Sequence, residues 1–153
     1  MPRKMLFFVP SLCAVFVTAN IAAGAMPTWQ NTGTSVQGRP LQCMEIPGGP
    51  DRVMVIAGFR GTRNASIQVA ESLARQASEQ AGLGNRSSLL IVRDANPDGR
   101  ALRTPNNARG GDLCRNFAAR DWRKIPIGQQ WLGGRQPTSE PETQWLTRLV
   151  TSW

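Results

Sequence analysis

The sequence predicts an α/β fold, and two observations support that prediction. Residues 53–59 and 88–92 are short apolar runs rich in Val, Ile and Leu, which is typical of strands covered on both faces of a sheet. Between them, apolar residues recur at helical spacing from Ile67 to Ala81, and Asn64 can cap that helix. A strand, a helix and a strand in this order form a βαβ unit, whose crossover we expect to be right-handed.

The segments around this unit predict one further strand and its turns. Residues 26–40 are polar and rich in Gly, Thr and Gln, so we expect an irregular lead-in. Residues 41–46 alternate loosely between apolar and polar side chains and predict a strand, and Pro-Gly-Gly-Pro at 47–50 predicts a turn. Gly82 and Gly84 are expected to end the helix that precedes them.

The second half of the chain predicts a long loop followed by a helix. Asn, Pro, Asp, Gly and Arg dominate residues 94–124, and an ordered loop of this length is usually functional. Ser139 and Glu142 have the spacing of a capping box, with Pro141 in the first turn of the helix that follows. We expect the apolar face of this helix to comprise Trp145, Leu146, Leu149, Val150 and Trp153.

The first 25 residues have the organisation of a secretory signal. Residues 1–4 are short and basic, residues 5–22 are largely apolar, and Ala23-Gly24-Ala25 is the small-x-small pattern read by signal peptidase. A membrane anchor is the alternative, but Pro10 and Asn20 interrupt the apolar run. We expect cleavage after Ala25, no stable membrane anchor afterwards, and a secreted or periplasmic mature chain.

The charge balance favours an anionic partner. The full chain has 18 basic and 10 acidic residues, a net charge of +8. Cleavage after Ala25 would remove Arg3 and Lys4 and no acid, leaving 16 basic against 10 acidic residues and a net charge of +6. These basic residues are scattered, without zinc-finger spacing or an aromatic-interleaved RNA motif, so we expect no nucleic-acid partner. Acidic peptides, such as the stem peptides of peptidoglycan, are the expected partners of an exported basic protein.

Two cysteines, Cys43 and Cys114, remain after residue 25. An oxidising compartment permits a disulfide between them, and two free buried thiols are an equal alternative.

Five short motifs and one strand with its turn resemble those of one family. NPDG at 96–99, NARG at 107–110 and DLCRNF at 112–117 resemble the central signature of the zinc metallocarboxypeptidases of the carboxypeptidase A type, with the bacterial murein peptide amidases most similar. GRPL at 38–41, the strand and turn at 55–61, and SEPET at 139–143 follow the same family in order. The resemblance extends over residues 36–150.

The resemblance implies a mixed sheet in three layers, with helices on both faces, of which this chain carries the N-terminal half. Residues 26–153 would then form a partial domain of that family. The family site lies at the carboxyl ends of the central strands, as ligand sites of α/β sheets generally do. In this sequence two loops, 60–63 and 94–99, are expected there.

The zinc ligands implied by the resemblance are missing. The family takes two ligands from a His-x-x-Glu motif, which aligns with Arg60 and Arg63. A guanidinium group has no lone pair to donate to a metal and stays protonated, and the chain contains no histidine. The third ligand and the catalytic glutamate of the family follow the last helix and have no counterpart in this sequence. We therefore expect no catalytic residue, no bound zinc and no other cofactor in this chain.

The substrate-binding positions are partly retained. The oxyanion-stabilising arginine of the family aligns with Pro105, and Arg103 is its near neighbour. The Asn-Arg pair that binds the substrate carboxylate aligns with Cys114 and Arg115, so that only the arginine is kept. The polar residues expected to brace the loops are Asn96, Asp98, Asp112 and Asn116.

These features support an exported relative of the family that does not hydrolyse peptides. An alternative is a binding module in which Arg60, Arg63 and Arg115 hold acidic cell-wall peptides, unless the first two arginines face solvent or pair with acidic loop residues. A hydrolase that uses a hard cation is another alternative, with oxygen ligands from Asp94, Asp98 and Asp112. A partner protein that supplies the rest of the family fold is a further possibility.

Overall fold

The computed structural model describes residues 27–79, 86–127 and 130–153. A three-stranded sheet and three helices organise these residues, and a two-stranded ribbon lies between the second and third helices. In chain order the elements are β1 (Gln30–Thr34), β2 (Pro40–Ile56), α1 (Ala65–Glu79), β3 (Ser87–Val92), α2 (Pro97–Leu102), a 3-10 turn (Leu113–Arg115), β4 (Pro126–Ile127), β5 (Gln130–Trp131) and α3 (Pro141–Ser152).

The main sheet is mixed, because the long strand β2 doubles back and pairs with β3 twice. In its first half, Cys43 lies opposite Val92 and Ile46 opposite Leu89, so the two segments run in opposite directions. In its second half, residues 51–56 run parallel to β3, and Ile56 also lies opposite Val92. The predicted strands at 41–46 and 88–92 are confirmed. Residues 47–50, predicted as a turn, are assigned to β2, although the pairing register shows that the chain reverses direction there. The strand predicted at 53–59 ends at Ile56.

Helices cover both faces of this sheet, as the resemblance implies. Successive side chains of β3 point to opposite faces. On one face, Leu89 and Ile91 belong to a buried cluster with the apolar side of α1. On the other face, Leu90 and Val92 belong to a second cluster with α3. The α/β prediction is therefore confirmed, with a helical layer on each side of the sheet.

Trp145 attaches α3 to the sheet. Its side chain is only 2% exposed, and its indole Nε1 donates a hydrogen bond to Thr32 Oγ1 at 3.0 Å. The ring lies directly over Gly33, where an added Cβ would come within 2.6 Å of the indole Cδ1. Glycine at position 33 therefore lets the backbone of β1 approach the indole closely.

Two segments expected to be irregular form regular elements. Residues 30–34 form β1, which pairs antiparallel with β2 and places Gln30 opposite Cys43, so the prediction of an irregular lead-in is wrong there. Within the expected loop 94–124, residues 97–102 form α2. Asn96 caps this helix, because its side chain accepts a hydrogen bond from Gly99 N.

Two details predicted for α3 are also wrong. The residue before the helix is Glu140, which makes no side-chain capping hydrogen bond, and Ser139 Oγ donates to Glu140 Oε1 at 2.8 Å. The predicted capping box therefore does not form. Val150 was expected on the apolar face, but its side chain is 59% exposed. The other four residues expected on that face, Trp145, Leu146, Leu149 and Trp153, contribute to the cluster under α3.

Some expectations concern residues outside the described ranges. The proposed signal at 1–25 and the helix-ending Gly82 and Gly84 lie among them. Within the described ranges, no helix has the length and hydropathy needed to cross a membrane. Both Cys43 and Cys114 are free thiols, and Cys114 is exposed rather than buried as the free-thiol alternative had it.

Replacing Trp145 with Ala should lower the free energy of unfolding by about 3–5 kcal/mol, because it opens a cavity under α3 and removes the hydrogen bond to Thr32. Val150→Ala on the same helix should change it by no more than about 0.5 kcal/mol, because that side chain lies mostly in solvent. Urea unfolding followed by circular dichroism measures both values. Equal effects of the two substitutions would show that α3 does not attach through Trp145.

Candidate functional site

The loops at the carboxyl ends of β2 and β3 lie against each other. Ala95 N donates to Ala57 O at 2.9 Å, and Gly58 has a positive φ of 75°. A Cβ at Gly58 would come within 2.4 Å of Asp94 Oδ1, so only glycine fits this close approach. The two loops expected to form the site, 60–63 and 94–99, are therefore neighbours.

Arg60 is bound to a buried carboxylate. Its Nη2 donates to Asp112 Oδ2 at 3.0 Å, and the Asp112 side chain is only 6% exposed. The same oxygen lies 3.5 Å from Arg115 Nε, while Oδ1 accepts a hydrogen bond from Cys114 N at 3.0 Å. Two arginines thus share one carboxylate, and the pairing of Arg60 with an acidic loop residue is the arrangement observed.

The thiol of Cys114 is not activated in this environment. Although Cys114 is exposed as a residue, partial burial of its thiol raises its pKa above the ordinary value, the negative charge of Asp112 raises it further, and Arg60 opposes both effects in part. Because the net pKa shift is upward, the thiol is protonated at neutral pH. A protonated thiol is a poor nucleophile, so a catalytic role for Cys114 has no support.

Arg63 and Arg103 are not drawn into this cluster. The backbone N of Arg63 donates to Arg60 O at 3.0 Å, but its side chain is exposed and makes no hydrogen bond or ion pair with a described residue. Arg103 ends α2 in a left-handed conformation, with φ of 53°, and its side chain is likewise exposed. The observed interactions therefore connect Arg60 and Arg115, but not Arg63 or Arg103.

An open cleft lies beside the shared carboxylate. Its volume is about 320 Å³, and its lining includes Cys114, Arg115, Phe117, Trp122 and Arg123. The indole Nε1 of Trp122 donates to Gly133 O at 3.2 Å, which fixes one wall. Sequence reasoning missed Trp122 and Arg123, although a tryptophan beside an arginine in an otherwise polar loop is a usable signal.

Asn116 joins the 3-10 turn to the start of α3. Its side chain is fully buried, Oδ1 accepts from Glu140 N at 3.0 Å, and Nδ2 donates to Gly133 O at 2.7 Å. Thr143 Oγ1 donates to the same Oδ1. The Asn116 side chain thus hydrogen-bonds the backbone at the start of α3 and the backbone of Gly133, which lines the cleft.

Asn96 and Asp98 hold the loop after β3. The amide of Asn96 donates to Phe59 O at 3.2 Å and to Pro105 O at 3.3 Å. Asp98 is fully buried and accepts from Ser35 Oγ at 2.8 Å and from Gln37 N at 2.9 Å. Its Oδ1 also accepts from Arg39 Nη1 at 2.6 Å.

A second buried group of polar side chains supports the loop from the side of α3. Asn107 Nδ2 donates to Glu140 Oε2 at 2.8 Å and to Glu142 Oε2 at 3.2 Å. Glu142 Oε1 accepts from Val36 N at 3.1 Å. Burial raises the pKa of Glu142, and its hydrogen bonds counteract the shift in part.

The described residues do not fit a zinc ion. Arg60 and Arg63 offer no lone pair at the positions that the resemblance assigns to ligands. In the parts of the chain that the structure describes, no group of three or more His, Cys, Asp or Glu side chains can hold a metal. The oxygens proposed for a hard cation are engaged separately, since Asp94 pairs with Arg100, Asp98 with Arg39 and Asp112 with Arg60.

A mixed sheet between helical layers, with polar loops at its carboxyl edge, is the architecture of the carboxypeptidase fold. The bovine thrombin-activatable fibrinolysis inhibitor shares this fold, with a TM-score of 0.71 at 20% identity over 83% of this chain and 49% of that one. The murein-tripeptide amidase MpaA of Escherichia coli O157 has a TM-score of 0.67 at 30% identity, over 84% of this chain and 58% of that one.

The family model "Zinc carboxypeptidase" (Peptidase_M14) matches residues 17–153, so the chain belongs to the zinc carboxypeptidase family. Murein peptide amidase A of Escherichia coli K12 is 32% identical in an alignment 136 residues long, which covers 81% of this chain and 54% of that protein. The chain therefore spans about half the length of the curated relatives it matches.

Glu142 should make stability depend on pH. Because its pKa is raised above about 4.5, the folded state binds the proton more tightly than the unfolded state. Its contribution to the free energy of unfolding is therefore fully present below pH 4.5 and is lost as pH rises through the raised pKa. Chemical unfolding should be measured from below pH 4.5 to neutral pH. The free energy of unfolding should fall as pH rises in the parent chain and should vary less with pH in Glu142→Gln.

The exposed residue Glu79 provides a matched control for this measurement. Glu79→Gln removes the same charge from α1, so a profile flattened equally by both substitutions would show that general charge, not burial at Glu142, causes the decline.

Proposed function

We propose that this chain is an exported member of the zinc carboxypeptidase family that does not hydrolyse peptides. The observation that carries the proposal is the ion pair between Arg60 and Asp112. A residue at the first ligand position of the family motif is a cation here, and its side chain is bound to a buried carboxylate. Hydrolysis in the family needs zinc to polarise the carbonyl and activate water.

The Arg60–Asp112 pair opposes metal binding in two ways. Arg60 and Arg63 are positively charged and repel a dication at the site they flank. Moving Arg60 aside to admit a metal would weaken the charge compensation of Asp112, whose carboxylate is almost fully buried. Uncompensated buried charges are costly, so the pair is expected to persist.

Export and cell-wall location form the second part of the proposal. The basic start, the apolar run and Ala23-Gly24-Ala25 have the pattern of a cleaved secretory signal. Two relatives are named for murein peptides, which an exported bacterial chain would meet. Stem peptides carry carboxylates, and the basic mature chain suits such partners.

Zinc analysis of the purified chain tests the non-hydrolytic assignment. We expect no stoichiometric zinc by elemental mass spectrometry and no release of product from a murein tripeptide. The double substitution Arg60→His and Arg63→Glu should create measurable zinc binding, because it supplies the two donors of the family motif.

The matched control for that experiment is Arg60→Gln with Arg63→Gln, which removes both charges without adding zinc donors. Zinc binding by the Gln variant would mean that repulsion alone excludes the metal. Stoichiometric zinc in the parent chain would refute the proposal.

A second candidate function is peptide binding without cleavage, and the cleft beside Asp112 favours it. Arg115 lines this cleft with a side chain that is 57% exposed, and Phe117 and Trp122 provide apolar walls. A guanidinium fork binds a carboxylate through two parallel hydrogen bonds. Arg60 hydrogen-bonds Asp112 at 3.0 Å and is not part of the cleft lining, whereas Arg115 lines the cleft and lies 3.5 Å from that carboxylate, so this function depends on Arg115.

Arg115→Ala should weaken binding of a murein tripeptide about tenfold or more, the loss expected for hydrogen bonds to a charged group. Arg75→Ala, an exposed position on α1, controls for the change in net charge. Calorimetric titration measures both affinities. Equal affinities for the parent and Arg115→Ala would exclude the cleft, while the assignment as a non-hydrolytic protein would stand.

A further inference from the structure

A second, smaller pocket lies where β2 begins and β3 ends. Its volume is about 190 Å³, and three arginines line it together with Gln42 and Asp94. The arginines come from three separate segments, Arg39 before β2, Arg93 after β3 and Arg100 in α2. Neither the Asp112 cluster nor its cleft uses any of them, so this pocket is independent of the proposed function.

Buried carboxylates orient two of the guanidinium groups. Arg39 Nη1 lies 2.6 Å from Asp98 Oδ1, and the Asp98 side chain has no solvent exposure. Arg100 Nε lies 2.5 Å from Asp94 Oδ2, whose side chain is 8% exposed. The side chain of Arg39 remains 39% exposed and that of Arg100 51% exposed. Each guanidinium group is therefore held by a carboxylate on one side and open to solvent on the other.

Arg93 is held on three sides. Its Nε donates to Glu71 Oε1 at 2.7 Å, and its Nη1 donates to Gln42 Oε1 at 2.9 Å. Its guanidinium carbon also lies 5.8 Å from the centre of the Trp29 ring, within the range of a cation–π interaction. These contacts restrict the rotamers of Arg93 before any ligand arrives.

Hydrogen-bond donors remain for a ligand. A guanidinium group carries five N–H donors. Arg39 uses only Nη1 for its side-chain hydrogen bonds to described residues, and Arg100 uses only Nε. Both therefore present further N–H groups whose orientation is already fixed, which reduces the entropy lost when an anion binds.

We propose that this pocket binds a small phosphoryl anion. Three guanidinium groups line it and each is paired with one carboxylate, so it is the unused N–H donors facing solvent, not a net positive charge, that favour an anion here. Arg39 and Arg100 bring unused donors from two segments, and Arg93, whose three nitrogens already contact Glu71 or Gln42, adds a third guanidinium group. This arrangement suits the several oxygens of a tetrahedral anion better than the two oxygens of a planar carboxylate. The volume admits a single anionic group rather than a peptide, because pockets for drug-sized ligands begin at about 300 Å³.

Titration of the full chain with inorganic phosphate at constant ionic strength tests this site. NMR or calorimetry should show saturable binding, and acetate should bind more weakly. Arg93→Gln should weaken phosphate binding about tenfold or more. Its ion pair with Glu71 is half-exposed on both sides, so the variant should fold normally.

Arg100→Lys is the second variant, because lysine keeps a positive charge beside buried Asp94 but loses the fork of N–H donors. It should weaken phosphate binding to a similar extent, whereas Arg135→Gln, at an exposed arginine outside the pocket lining, should leave the affinity unchanged. The proposal is overturned if the parent shows no saturable phosphate binding, or if both pocket variants bind as the parent does. Equal affinity for acetate would also overturn it and identify a carboxylate site.

Discussion

The requirement that buried polar groups be paired determines the arrangement of the loops in this protein. Asp94, Asp98 and Asp112 follow β3 in the chain and are almost fully buried, and each has an arginine partner. Within the described residues, no buried side-chain nitrogen or oxygen lacks a hydrogen-bond partner. An unpaired buried carboxylate would cost several kcal/mol, so these pairs fix where the loops can lie. The candidate site and the three-arginine pocket both result from this one constraint.

The parts of the fold that the sequence predicts are those with a strong hydrophobic pattern. The apolar run of β3 and the helical spacing in α1 are local signals that packing on the sheet reinforces. The strand β1 has no such signal, because its residues are polar and exposed and its pairing with β2 defines it. The helix α2 is only six residues long and depends on the side chain of Asn96 for its start. Strand pairing and side-chain caps stabilise such elements, and hydrophobic periodicity in the sequence does not predict these contacts.

The site shows the same division between local and long-range information. The family motifs identify positions 60 and 63, because they follow a recognisable strand. They do not identify which aspartate pairs with Arg60, since all three candidates lie in the long loop expected at 94–124. The structure selects Asp112, which is 52 residues away in sequence, and leaves Arg63 in solvent. The cleft residues Trp122 and Arg123 lie between the motifs at 112–117 and 139–143 and belong to neither, so only the folded chain brings them beside Arg115.

The burial of Asp112 is consistent with the proposed non-hydrolytic assignment, because its carboxylate is paired without a metal ligand at position 60. A metal-bound histidine usually donates its second ring N–H to a carboxylate or carbonyl that orients it. A buried carboxylate in such a position keeps its need for a donor when the histidine is absent. Arg60 supplies that donor at 3.0 Å together with a compensating positive charge. Under the proposed assignment, Arg60 takes the position of the family's first metal ligand and also pairs with Asp112. The loop that presents Arg115 to the cleft is therefore supported by an ion pair that needs no metal.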